Sequence, residues 1–171
     1  MTFLEFARSR FSTRKFTSQP VEQEKVNKII KAGLIAPTAA NRQPQKIYVI
    51  RSPKMIQVMN QLTPCIYGAG TVFMVAYDKN LDWENPMEEG VHDGMIDASI
   101  VGTHMMLEAT ELGLGSCWVG HFPPTKTART LGLPEHIEPV LLLPVGYTDP
   151  SYKISPQHDS FRDYDEIVTP L

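Results

Sequence analysis

Between His92 and Leu112 runs a proline-free stretch closed by Gly113-Leu114-Gly115, and it carries apolar residues on nearly every side. Gly94, Ala98 and Gly102 recur at i, i+4 and i+8, which makes one smooth stripe on a helix. Met95, Ile96, Ile100, Val101, Met105, Met106 and Leu107 take up the remaining circumference. A helix that is apolar nearly all round has no face to give to water, so it lies inside a core or an interface. Whatever fold the chain adopts is built around this helix. The stripe of small side chains lets another element come close. We expect that element to be a helix across a subunit interface, with a central helix inside one monomer as the alternative.

The other elements follow from caps and periods. Thr2 followed by Glu5 has the spacing of a capping box and predicts a short helix with Phe3, Leu4, Phe6 and Ala7 on its apolar side. Val26, Ile29, Ile30, Gly33 and Leu34 mark one face of a helix that ends before Pro37. Strands are predicted at Ile47–Ile50, Thr71–Tyr77 and Glu138–Val145, and helices over 53–62 and Pro123–Leu131. The run Val140-Leu141-Leu142-Leu143 suits a sheet covered on both faces. With 171 residues, 42% hydrophobic and 20% charged, the chain fits one domain, 1–171, that buries roughly two-thirds of its unfolded surface. Residues 147–171 have no period and hold Pro150, Pro156 and Pro170; they read as an extended C-terminal arm, anchored on another subunit or disordered. The stretch from Asp78 to Gly90, with Trp83, Asn85 and Pro86, is also aperiodic, and its length suits a lid that selects substrate.

Chemistry concentrates in Arg8-Ser9-Arg10-Phe11-Ser12-Thr13-Arg14-Lys15-Phe16, four cations and three hydroxyls in nine residues. Guanidinium groups match phosphate oxygens bidentately, and hydroxyls supply shorter contacts beside them, so the stretch reads as a phosphate anchor. A solvated helix end, with cations complementing the dipole, is the competing reading. A net charge of −3 argues against a general polyanion binder, so one small anion is favoured over nucleic acid. The loop Ala36 to Gln45 is small and amide-rich, and Asn41 and Gln43 bring paired donors and acceptors suited to the edge of a heterocycle. Two cysteines, Cys65 and Cys117, form no disulfide framework and suit a reducing compartment. No apolar run approaches a membrane span, and Arg8 and Arg10 interrupt any signal-peptide core, so the expected location is cytoplasmic. Neither a nucleophile with its base nor a metal set is read from the spacing of Cys117, His121, His92, Asp93 and Asp97.

Taken in order, these stretches resemble the FMN-dependent nitroreductase family over nearly the whole chain. Arg10-Phe11-Ser12-Thr13-Arg14-Lys15-Phe16 is similar to the family's opening motif, which implies that Arg10 and Ser12 hold the FMN phosphate, with Phe11 between them, and that Arg14 stands at the pyrimidine edge of the flavin. The loop with Pro37, Thr38, Ala39, Asn41 and Gln43 is similar to the one that reaches the other subunit's flavin in the family dimer. Gly113 to Gly120 resembles the glycine turn and strand in which Trp118, Val119 and Gly120 lie at the ring, with amides near Val119 and Gly120 facing N5. His158-Asp159-Ser160-Phe161-Arg162 looks like the tail motif of the shorter, clostridial-type members, so His158 and Arg162 are expected at the phosphate. Gln45 stands where the family usually has Trp, and residues 57–70 offer no match for its second ribityl-binding segment. The resemblance implies an α+β fold, a central mixed β-sheet flanked by helices, in an intertwined homodimer. It also implies FMN as cofactor, NADH or NADPH as hydride donor and a small aromatic electron acceptor.

Overall fold

Thr2 accepts from the Glu5 amide at 3.3 Å while its own amide donates to the Glu5 carboxylate at 2.6 Å. This reciprocal cap starts helix α1, Phe3–Ser9, in the computed structural model, which describes residues 1–171. Helix α2, Gln23–Leu34, buries Val26, Ile29 and Gly33, and leaves Leu34 in water one residue before its cap. Strand β1 is Gln45–Ile50 and helix α3 is Pro53–Leu62, which starts where Ser52 accepts from Met55 N and Pro53 presets the first turn. Strand β2, Thr71–Asp78, leads through the acidic loop to helix α4, Gly94–Glu111. Strand β3 is only Gly115–Ser116; helix α5, Pro124–Thr130, and strand β4, Ile137–Gly146, follow, and a last turn of helix, α6, spans Tyr164–Ile167.

The sheet has the order β1-β2-β4-β3. All three strand pairs are antiparallel, and the sheet is mixed only at its margin, where Ser12 forms a parallel bridge with Ser116. Successive side chains of a strand point to opposite faces. Phe73, Val75, Leu141, Leu143 and Val145 therefore meet α2 and α4, while Val72, Met74 and Leu142 pack with Met59 and Ile66 from the α3 side. Both faces are covered, which is why β2 and β4 are apolar at consecutive positions.

The stripe on α4 meets the chain's own sheet, not a helix of another subunit. A Cβ on Gly94 would overlap the ring of Tyr77, and one on Gly102 would stand 2.6 Å from Leu141 Cδ2. Ala98 lies buried between them in the same cluster. Small residues are needed here because the helix must sit down onto bulky strand side chains. Gly94→Ala should lower stability by about 1 to 3 kcal/mol, the usual cost of forcing a methyl into a filled contact. A urea midpoint unchanged from wild type would show that Tyr77 swings away freely.

The end of α4 is closed twice. Leu114 N bonds Ala109 O and Gly113 N bonds Thr110 O, with Gly113 at φ 72, so the glycine pair is a helix stop as its position predicts. Lys25 then donates to Leu112 O and to the Tyr147 hydroxyl, both at 3.0 Å, satisfying a carbonyl that the helix leaves open.

The tail divides at about residue 160. Its first half runs back over the basic stretch of its own chain. Thr17 N bonds Tyr147 O, Asp149 N bonds Lys15 O, and Lys15 Nζ reaches Ser151 Oγ at 2.6 Å. Beyond it, Phe161, Tyr164 and Ile167 are 75%, 72% and 64% exposed, with nothing from this chain over them. The loop after β2 closes on itself through Asn85 N to Val91 O and Asp93 N to Trp83 O, and His92 Nδ1 lies 3.3 Å from the Asp82 carboxylate. No helix is long and apolar enough to cross a membrane.

Candidate functional site

The basic stretch leaves α1 in extended form and runs beside β3, where Thr13 N donates to Ser116 O at 2.8 Å. From the other side comes the tail. The Tyr152 hydroxyl donates to Ser12 O at 2.7 Å, and His158 Nε2, which must carry the proton, donates to Arg8 O at 3.1 Å. Between the two segments lies a cavity of about 270 Å³ lined by Arg10, Phe11, Ser12 and Arg14 from the first and by Ser155, Gln157, His158 and Ser160 from the second. Five residues singled out in the sequence, Arg10, Phe11, Ser12, Arg14 and His158, thus converge on one space from opposite ends of the chain.

Charge separates these cations into two kinds. Arg8 pairs with Asp159 at 3.3 Å and Lys15 with Asp149 at 3.4 Å, so both are neutralised by the tail they hold. Arg10 and Arg14 line the cavity without any carboxylate within ion-pair distance. Two uncompensated guanidinium groups among hydroxyls and amides make a site for an anion. Arg14 is held in its charged form first by the hydroxyl of Tyr152, with Cys117 and Tyr67 adding to it against the cost of burial.

Tyr152, whose hydroxyl holds Ser12 O, and Tyr67, which acts on the charge of Arg14, stand beside the cavity without lining it, and sequence reasoning missed both. Tyr67 lies in the 57–70 segment, in the left-handed region at φ 52, where it ends the turn Pro64–Ile66. Burial first, then its contact with Cys65, pushes its hydroxyl up to about 12, so it stays protonated. Thr63-Pro64 followed by Gly68 is a signal for a turn, but it does not say what the turn presents.

The strand segment 117–120 flanks the same region. Burial pushes the Cys117 thiol up, while Arg14 and the Ser12 hydroxyl beside it act the other way. Val119 exchanges both backbone bonds with Leu142, at 2.9 and 3.0 Å. Its amide is therefore committed to the sheet, and of the two amides expected to face a ligand ring only that of Gly120 has no acceptor in the chain. Trp118 is 39% exposed and lies against Gly120, where a Cβ would stand 3.2 Å from the indole.

The remaining residues lie elsewhere. Pro37, Thr38, Ala39, Asn41 and Gln43 do not line this cavity, and Arg162 points away from it to Glu166, at 3.0 Å. The loop is nonetheless built with care. Ala40, Asn41 and Gln43 take left-handed φ values of 47, 52 and 51, a conformation that is costly for side chains with a Cβ. Gln43 N bonds Thr38 Oγ1 at 3.0 Å and Ala39 N bonds Asp97 Oδ1 at 2.9 Å, which pins the loop to the first turns of α4.

Asp97 is buried and its Oδ2 has no donor. Burial, with the nearby Asp93 and Asp82 and against the opposing Ala39 bond, raises its carboxyl above the ordinary aspartate value. A carboxyl whose folded pKa exceeds its unfolded one contributes stability that is complete below the unfolded pKa and is lost as pH rises through the folded value. Compared with Asp97→Asn, the wild type should therefore lose stability as pH climbs from about 4. Parallel profiles of unfolding midpoint against pH would refute this.

The chain is similar to proteins of one family. The model of the Nitroreductase family matches residues 7–65 and 57–147. A crystal structure of a nitroreductase family protein from Clostridium difficile 630 is 38% identical, covers 99% of this chain and 98% of its own, and superposes with a TM-score of 0.92. An FMN-dependent nitroreductase from Clostridium difficile R20291 is 25% identical, with 98% of each chain covered and a TM-score of 0.77. A relative from Methanothermobacter thermautotrophicus, provisionally named NADH dehydrogenase/NAD(P)H nitroreductase, is 29% identical over 154 residues, 86% of this chain and 78% of its own.

Proposed function

The chain belongs to the nitroreductase family, and from that premise we propose that it holds FMN and passes hydride from NADH or NADPH to a nitroaromatic, quinone or similar flat acceptor. The observation that carries this reading is the pair of guanidinium groups, Arg10 and Arg14, left without carboxylates in a cavity that both ends of the chain build. The donor set fits the cofactor: Arg10, Ser12 and His158 would hold the phosphate, Phe11 would line the passage beside it, and Arg14 would stand at the ring. When bound, FMN would supply reversible hydride chemistry, which asks the protein for binding and electrostatics but for no nucleophile or general base.

Each remaining task falls to a residue already placed. The positive charge of Arg14 favours negative charge arriving on the ring. The free amide of Gly120, exposed in the single chain, offers a donor beside it, and the Trp118 indole lies against that glycine. Donor and acceptor would use the same open face in turn, so the kinetics should be ping-pong.

A homodimer is part of the proposal. Met95 and Ile96 are each 55% exposed on the outer side of α4 and, with Ser99, Ile100, Thr103 and His104, bound an open apolar hollow of about 420 Å³. A second copy would cover this face and the apolar end of the tail. It would also bring its own strained loop, with Pro37, Thr38, Ala39, Asn41 and Gln43, to a site that the single chain leaves open on that side. Light scattering that finds a flavin-loaded monomer at working concentration would remove this part.

The test of the whole reading is to purify the protein, confirm the yellow flavin spectrum and mix it anaerobically with NADPH or NADH in a stopped-flow spectrometer. Rapid bleaching, followed by reoxidation on adding a nitroaromatic or a quinone, is expected. Flavin that binds but stays yellow would make the protein a carrier of FMN and not an oxidoreductase.

A further inference from the structure

Thr63 closes α3, and its side chain reaches away from that helix to the far end of the 117–120 segment. It is 3% exposed, and its hydroxyl accepts from Cys65 N at 3.1 Å and donates to His121 O at 2.6 Å, 58 residues away. The chain of bonds does not stop at that carbonyl, because the C=O and N–H of a planar trans peptide point opposite ways. The unit that contains His121 O carries the Phe122 N–H on its other side, which donates to Gly120 O at 3.0 Å. The unit that contains Gly120 O carries in turn the His121 N–H, and this has no acceptor in the chain. Three hydrogen bonds in series, from Cys65 N through the Thr63 hydroxyl and across the turn, thus end on one open donor. Beside it stands the open N–H of Gly120, whose peptide unit is fixed by Leu142 N on Val119 O at 3.0 Å. Thr63, Gly120 and His121 line one hollow of about 300 Å³, so the hydroxyl and the turn it holds meet at the same surface.

Resting on the reading that puts Gly120 at the flavin ring, we infer that Thr63 is a positioning residue, whose bond to His121 O aims the His121 N–H at the bound cofactor and raises its reduction potential. Hydrogen bonds in series polarise one another, so the last donor is stronger than an isolated amide. A donor held in place costs no reorganisation when charge arrives, and it favours the state with more electron density in front of it. Without the hydroxyl the turn keeps its internal bond but loses its anchor on the 57–70 segment, and the open N–H wanders.

Each end of this series can be removed separately. Thr63→Val keeps the shape and deletes the hydroxyl, while Thr63→Ser keeps the hydroxyl and deletes the methyl. His121 is not among the residues with positive φ, so Gly120–Phe122 is an inverse γ-turn, whose central φ of about −75° is one that proline adopts. His121→Pro therefore deletes the open N–H and retains both the turn and the carbonyl that Thr63 binds.

The experiment compares these variants, and Thr63→Val combined with His121→Pro, against wild type at matched FMN occupancy by dye-coupled redox titration. Thr63→Val is expected to shift the two-electron equilibrium about threefold toward the oxidised form, a drop in midpoint of about 14 mV at 29.6 mV per tenfold. Thr63→Ser should keep the wild-type midpoint even where its unfolding midpoint falls. His121→Pro should lower the potential at least as far, and Thr63→Val should add nothing to it, since the donor it acts through is gone. A midpoint unmoved or raised by Thr63→Val, an equal drop in Thr63→Ser, or additive shifts in the double variant would each overturn the inference and leave the flavin site standing. Should Thr63→Val fail to hold flavin, His121→Pro decides alone, and an unmoved midpoint there overturns the inference. A wild-type protein that takes up no FMN would bring down the underlying reading instead.

Discussion

Changing Arg10 to glutamine should weaken FMN by roughly tenfold or more and leave riboflavin binding within about twofold. Arg10 lines the cavity and has no carboxylate to compete for its charge. A hydrogen bond to a charged group is worth about 1.5 to 3 kcal/mol, and each 1.4 kcal/mol is a factor of ten in affinity. Glutamine keeps one amide donor but neither the charge nor the fork. Riboflavin has no phosphate, so it never made the lost contact. Arg8 is the internal control, because its side chain is 71% exposed and already paired with Asp159. Exposed pairs contribute about 0 to 1 kcal/mol, and Arg8→Gln should change neither ligand's affinity appreciably. Fluorescence-quenching titrations of both ligands against all three proteins decide the matter. Equal losses for FMN and riboflavin in Arg10→Gln would take Arg10 away from the phosphate.

What could be read before the structure was mostly local. The helix expected over 53–62 is α3, whose start rests on a hydroxyl cap and a preset φ at Ser52 and Pro53, properties of neighbouring residues. Gly113 was readable as a helix stop for the same reason, and the α4 stripe was readable as a close contact. What approached the stripe was not readable, because Tyr77 and Leu141 reach it only after the sheet has formed. The tail shows the same limit more sharply. Coil has no period to announce its direction, and Tyr152 finds its acceptor 140 residues away. The family resemblance brought Arg10, Ser12, Arg14 and His158 to one place on the page before the fold did. It could not assign the Val119 amide, whose commitment to Leu142 depends on register across the sheet edge. Arg162 likewise carried the right chemistry for an anion, but in a single chain its nearest carboxylate, Glu166, sits one helical turn away and takes the charge first.

Arg14→Gln should lower the midpoint potential of the bound flavin by a few tens of millivolts while costing less FMN affinity than Arg10→Gln. Both arginines line one cavity, and in the proposed reading their tasks divide, with Arg10 at the phosphate and Arg14 at the ring. Arg14 has Cys117 among the groups that act on its charge, and Cys117 begins the segment that leads to Gly120. A charge placed at a ring is worth more after the ring has gained electrons than before, and only that difference moves the potential. For a two-electron couple 30 mV corresponds to about 1.4 kcal/mol. Arg14 is exposed in the single chain, where solvent and salt screen it, so the shift should be modest and should shrink as ionic strength rises. Titrations with redox dyes at low and high salt, at equal flavin loading, measure both effects. Coincident midpoints accompanied by weaker FMN binding would reduce Arg14 to a binding residue, and the driving force for hydride transfer would then have to come from the neutral donors around Gly120.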